Sequence, residues 1–271
     1  MMALMVSTER SMAKSVLGRG FAILDAFRLR EDFLTLNQLA ERTGIPRSTT
    51  HRIANELIEL GLLRRTNEGY ELGLAIFEIG NRAARSASLA EIALPYLGRL
   101  LELTRQVVNL AVLDGTEVVY VDRLHAKRDA KMSTGVGSRL PAHCTALGKI
   151  LLAMSAPTVT EKVIDKGLAS RGPNTITDPV KFRAHLADVR RRQVAFDVLE
   201  SNALNFCVAA PILDFSGKPL AAISVTGFPD LASLERAAPV VLENARSLSR
   251  NYGLAMLERQ TRGETVDRLT R

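Results

Sequence analysis

Cysteine is scarce in this sequence: there are two, Cys144 and Cys207, far apart and not part of any Cys-x-x-Cys pair. That argues against a disulfide scaffold and against a zinc ribbon, and both are expected to be buried thiols. Long hydrophobic runs are also missing. The stretches around Lys149–Ala153 and Leu220–Val225 fall well short of the roughly 18 consecutive apolar residues that a membrane helix needs. The opening Met1-Met2-Ala3-Leu4-Met5-Val6 has no basic region before it and is interrupted by Glu9, Arg10 and Lys14, so no secretory signal is expected. Residues 1–14 read as a disordered lead and the protein as cytoplasmic. No GxSxG, HExxH or Walker sequence occurs, and Gly135-Val136-Gly137 lacks the spacing of a dinucleotide fingerprint. Neither an enzymatic activity nor a cofactor is expected.

What is present is ordinary globular composition, 46% hydrophobic and 24% charged, in a 271-residue chain that exceeds the usual size of one domain. The net charge of +7 suits a polyanionic partner, but its location matters. Residues 1–88 hold 12 Lys and Arg against 10 Asp and Glu, so most of the excess lies elsewhere. Motifs, rather than bulk charge, must carry any argument for nucleic-acid binding.

The first such motif begins with an apolar stripe, Val16, Phe21, Leu24 and Phe27, at helical spacing within residues 15–27. Thr35 is placed to cap a second helix, Leu36–Thr43, whose buried positions are Leu36, Leu39 and Ala40. Gly44 stops it, Ile45 plugs the angle between helices, and Pro46 starts the next segment, which together make a helix-turn-helix. The following helix, Arg47–Glu59, buries Thr50, Ile53, Leu57 and the adjoining Leu60. Its other side presents Arg47, Ser48, Thr49, His51, Arg52 and Asn55, side chains suited to base edges and phosphates in a major groove. Arg52 can act as a phosphate clamp or pair with Glu56. Leu62 to Leu72 reads as a hairpin turning at Thr66–Gly69, with Arg64 and Arg65 exposed: the wing of a winged helix-turn-helix. Residues 73–88, with Leu74, Phe77 and Ile79, form a linker helix that can pair with its counterpart in a second subunit on a palindromic operator.

Residues 89–258 read as an effector domain, α+β with an antiparallel sheet. A helix at 89–105 is followed by strands at Val107–Leu113 and Glu117–Arg123, turning at Asp114-Gly115-Thr116. A third strand is expected near Lys131–Val136, a helix at Ala142–Met154, and two more helices between Thr158 and Arg192. Strands at Val194–Val198, Cys207–Asp214 and Lys218–Thr226 precede a long final helix, Leu231–Glu258, and a flexible tail, 259–271.

Three separated stretches carry a family likeness: Leu36 through Arg52, the run Gly137-Ser138-Arg139-Leu140-Pro141-Ala142-His143-Cys144-Thr145-Ala146-Leu147-Gly148-Lys149, and Cys207-Val208-Ala209-Ala210-Pro211-Ile212. They resemble the IclR family of bacterial regulators, over about Ser15 to Gly253, and in particular a branch controlling aromatic-acid catabolism. The resemblance implies a winged helix-turn-helix, a linker helix, a GAF-like effector domain, double-stranded DNA as partner, and homodimers that pair into homotetramers. It also implies a small carboxylate effector held at Thr145, Ala146, Leu147, Asp197, Cys207, Ser224 and Thr226. A helix N-terminus favours an anion, and residues 224 and 226 share one side of a strand. Where the family shows an acidic cluster followed by Leu-Gly-x-Arg-Cys, this chain has Asp197-Val198-Leu199-Glu200 and Leu204-Asn205-Phe206-Cys207. Val198 and Phe206 make this region more apolar, which leads to the expectation of an effector with a larger apolar or aromatic part than a short keto acid.

Two other functions compete. A zinc-responsive regulator would use Cys207 with His143, Cys144 or Asp197. A thiol enzyme would use Cys144 beside His143, although adjacent residues point in different directions and no supporting acid accompanies them.

Overall fold

The computed structural model describes residues 15–28, 31–82, 84–125, 135–204 and 206–261. The expected lead, most of the tail and most of the strand expected at Lys131–Val136 lie outside them. The chain divides into two compact units after Ala84.

In the first unit, α1 (Val16–Asp25), α2 (Leu36–Thr43) and α3 (Arg47–Glu59) precede a hairpin of β1 (Leu63–Arg65) and β2 (Tyr70–Leu72), then α4 (Leu74–Arg82). The boundaries have local causes. Ser15 caps α1 through the amide of Gly18. Thr35 and Gln38 form a reciprocal capping box at the start of α2, satisfying two amides that the helix leaves unpaired. Gly44 ends α2 at φ 66°, in the left-handed region where a side chain would be strained. Ile23, Leu39, Ile45, Ile53, Leu57, Leu63 and Tyr70 form the core. Leu34 exchanges two backbone hydrogen bonds with Tyr70, adding a bridge to the wing. Gly69 allows that approach, since a Cβ there would lie 2.4 Å from the Leu34 carbonyl oxygen.

Three expected burials fail in this unit: Val16 (58%), Phe21 (61%) and Leu60 (67%) are exposed. Ile23 and Ala54 take the inward positions instead, because α1 rotates Gly20 toward Ile53 and Leu57.

The second unit starts with α5 (Ala84–Thr104), longer than the helix expected at 89–105. Its sheet contains β3 (Val107–Asp114), β4 (Glu117–Leu124), β5 (Arg139–Pro141), β6 (Ala195–Val198), β7 (Phe206–Leu213) and β8 (Pro219–Thr226), in the order β5-β4-β3-β8-β7-β6. Every neighbouring pair is antiparallel. Among the described residues the strand that follows β4 is Arg139–Pro141. The helix expected from Ala142 is divided: a 3-10 turn, Ala142–Cys144, and then α6 (Ala146–Met154), separated by an extended Thr145. Next come α7 (Pro157–Lys166) and α8 (Pro179–Arg192), and α9 (Leu231–Thr261) ends the described chain.

Alternation along the strands gives the sheet two faces. Leu110, Val208, Ala210, Ile212, Ile223 and Val225 pack with α5 and α9. Ala111, Val118, Ala209 and Ala222 pack with α6, α7 and α8. The unit is an antiparallel sheet covered by helices on both sides, the α+β architecture expected from sequence. Among the described residues no helix is long and apolar enough to cross a membrane.

Candidate functional site

In the first unit α3 carries the residues expected to read DNA. Arg47, Ser48 and Arg52 are exposed, and Thr49, His51 and Asn55 are half-buried beside them. Arg52 pairs with Glu56 at 2.5 Å one helical turn on, both well exposed. Such a pair contributes only about 0.3–0.5 kcal/mol, so a phosphate can displace the carboxylate at little cost. On the wing, Arg64 pairs with Glu71 directly across the hairpin, and Arg65 lies 5.8 Å from the Tyr70 ring centre. Both arginines are thereby held outward.

In the second unit strand register assembles the other site. Asp197 stands opposite Cys207, which stands opposite Thr226. One step along, Ala209 faces Ser224, and Ser224 faces Asn109. All lie on the sheet face that α6 covers. Thr226 donates its hydroxyl to Cys207 Sγ at 3.0 Å, and Asn109 Nδ2 donates to Ser224 Oγ at 3.2 Å and reaches Thr226 Oγ1 at 3.4 Å. Thr145 caps α6 through the Gly148 amide. The amides of Ala146 and Leu147, in the first turn, have no intrahelical acceptor and sit at the positive end of the helix dipole. A helix terminus suited to an anion thus belongs to the same layer as a row of polar sheet residues.

The surrounding charges were not legible as a group in the sequence. Lys149, at 0% exposure, bonds through Nζ to Glu200 Oε1. Glu200 reaches it because Asp197 Oδ1 accepts the amides of Glu200 (2.8 Å) and Ser201 (3.2 Å), fixing a turn in which Leu199 is left-handed at φ 60°. Burial raises the pKa of Glu200 and of Asp197, opposed for Glu200 chiefly by the Lys149 charge and for Asp197 by the Ser201 and Glu200 hydrogen bonds. His143 places Nε2 2.9 Å from the Ala169 carbonyl, so that nitrogen carries its proton, and burial holds its pKa down. Tyr120, opposite Ala111 on β4, belongs to this face as well; burial raises its pKa, and the Arg123 charge opposes that rise.

Val198 and Phe206 do not line this site. They form a register pair whose side chains pack on the opposite face, with α5 and α9. Their apolarity therefore says nothing about the effector, and the aromatic group on the site face is Tyr120.

Burial pushes both thiols up to about 12, so they are uncharged at neutral pH. Native protein at pH 8 is expected to leave both unreacted with an aromatic disulfide reagent, whereas protein unfolded in urea reacts at both within minutes; prompt native reaction would contradict the burial. The sign for stability follows. Each thiol stays protonated in the native state where the unfolded chain ionises, so stability falls as pH rises from about 9 toward 12. Among the described residues no three His, Cys, Asp or Glu side chains come together in a way that could hold a metal ion, so the zinc reading gains no support.

Residues 16–67 match the IclR helix-turn-helix domain, and residues 81–251 match the bacterial transcriptional regulator IclR C-terminal domain. The chain belongs to the IclR family. The transcriptional repressor IclR of Escherichia coli is 32% identical over 88% of this chain and 89% of its own length. The Pca regulon regulatory protein of Pseudomonas putida is 34% identical over 86% and 82%. Among solved structures, an IclR homolog from Microbacterium hydrocarbonoxydans complexed with 4-hydroxybenzoate is 30% identical, with a TM-score of 0.80 over 88% of this chain and 98% of that one. As an IclR-family member the protein is a DNA-binding transcriptional regulator with a C-terminal effector-binding domain. Its relatives regulate transcription, which removes the thiol-enzyme reading.

Proposed function

We propose that this IclR-family regulator binds a palindromic operator as a homodimer or homotetramer, with Arg47, Ser48, Thr49, His51, Arg52 and Asn55 in the major groove and Arg64 and Arg65 on flanking phosphates. Its affinity for that operator is set by an organic carboxylate, with an aromatic acid favoured. The effector lies between the start of α6, at Thr145, Ala146 and Leu147, and the row Asp197, Cys207, Ser224 and Thr226. The observation that carries this reading is the convergence of an anion-favouring helix terminus with polar side chains from three strands in one layer. The 4-hydroxybenzoate held by the structural relative and the buried Tyr120 favour an aromatic acid.

The test is a mobility-shift titration on the regulator's own upstream DNA, at fixed salt with non-specific competitor, adding 4-hydroxybenzoate, glyoxylate or pyruvate. Arg52→Ala is expected to weaken the specific complex by about 10- to 100-fold while non-specific binding changes less. Its thermal stability should change by no more than about 0.5 kcal/mol, because only an exposed ion pair is lost. Unchanged binding by the folded variant would remove Arg52 from the interface. A response to the short keto acids and none to the aromatic acid would overturn the aromatic preference.

A further inference from the structure

Asn109 presents an unusual accounting problem. It is 3% exposed, and its Oδ1 has no hydrogen-bond partner. Rotating the amide does not remove the problem, because the neighbouring hydroxyls fix its orientation. Thr226 gives its proton to Cys207 Sγ, so its oxygen is left as an acceptor, and it faces Asn109 Nδ2 together with the Ser224 oxygen. Turning the amide over would set Oδ1 against that acceptor, so the carbonyl is the group left over. A buried acceptor without a donor is costly, and polar interiors seldom leave one.

The donor that completes it has a definable character. Arg123 stands directly opposite Asn109 on the neighbouring strand, and directly opposed residues share a face of the sheet. Its charge acts on Tyr120 on that same face. A second positive charge is disfavoured beside it, so the missing donor is a neutral one, such as an O–H.

We propose that Asn109 is a specificity residue of the effector site, its Oδ1 accepting a hydrogen bond from a hydroxyl of the effector, so that the site selects hydroxylated carboxylates over their deoxy counterparts. This rests on the effector site lying on the α6-covered face, as set out above. It adds a residue that the family likeness did not supply and a chemical requirement on the ligand.

Calorimetric titration of the full-length protein with 2-, 3- and 4-hydroxybenzoate against benzoate, and with lactate against propionate, tests it. In at least one pair the hydroxylated acid is expected to bind tighter by about tenfold or more, the consequence of leaving a buried acceptor unpaired in the deoxy complex. In Asn109→Ala the affinity for that acid should fall further than that of its deoxy partner, closing the ratio between the two toward one. A merely structural role would weaken both members alike. Should the variant fail to fold, the wild-type ratio decides alone. Equal binding within every pair, or a folded Asn109→Ala that keeps the preference, overturns the proposal and leaves the effector site standing. Binding of none of these acids overturns the carboxylate reading, and the role of Asn109 with it.

Discussion

Lys149→Met is expected to cost about 3–5 kcal/mol of stability, the loss that follows when one member of a buried ion pair is removed and the other remains. Lys149 sits in a helix where every residue from Ala146 to Ala153 is buried, and its ammonium has no route to water. Its partner Glu200 is 6% exposed, and Oε2 already lacks a hydrogen bond. Without the lysine that carboxylate is left charged in an apolar layer or must take up a proton. Burial already raises the pKa of Glu200, and Lys149 is the main influence lowering it, so the variant raises it further. A carboxyl group with a raised native pKa binds protons more readily than the unfolded chain, so its destabilising effect grows as pH rises. The deficit in urea unfolding should therefore be largest near pH 7 and shrink toward pH 5. Lys149→Met combined with Glu200→Leu should recover most of it. A pH-independent loss, or a double variant as unstable as the single, would show that packing and not charge sets the cost. His185 gives a second readout. Burial and then Lys149 hold its pKa down to about 4, so it should titrate higher in Lys149→Met by NMR.

Gly148→Ala is expected to lose about 3 kcal/mol, at the upper end for overpacking, because the obstacle is backbone. A Cβ at this position would lie 2.1 Å from the Ala142 carbonyl oxygen and 2.3 Å from its Cα. The 3-10 turn and α6 touch main chain to main chain, and the extra methyl must separate them. That separation moves Thr145, Ala146 and Leu147, so effector binding should weaken along with stability. Gly98→Ala in α5 is the paired control, since its Cβ would meet nothing within 4 Å. It should raise stability by about 0.5–1 kcal/mol through helix propensity and reduced unfolded-state freedom. Equal melting temperatures for the two variants would refute the close approach.

The helix-turn-helix was legible because its signals are local. Thr35 with Gln38, Gly44 and Pro46 fix α2, the turn and α3 within a few residues of sequence, and the two helices span the expected residues. Phe21 and Leu60 misled because a stripe drawn at helical spacing is wide enough to include positions at its edge, and only packing selects among them. In the second unit, alternation reveals which residues share a face but not which face holds the site; that ambiguity misassigned Val198 and Phe206. The contact between Asn109 and Ser224 joins positions 115 apart, beyond any local pattern. Lys149 did carry a usable signal. Between Ala146 and Ala153 the helix is apolar on all sides, so the one ammonium had to be buried and required an anion.

The strand order also sets a timetable for synthesis. β8 lies between β3 and β7, and Ala222 and Ile223 contribute to the two cores on either side of the sheet. Neither core can close until nearly the whole chain has left the ribosome, whereas the first unit has its own core within residues 23–70. At about 5–20 residues per second the interval is on the order of ten seconds. During it the nascent polypeptide has a finished DNA-reading head while the hairpin of β3 and β4 waits with the β8-facing edge of β3 unpaired. A translation product cut short before Thr226 would therefore emerge with a complete helix-turn-helix core and a second unit able to close neither of its own.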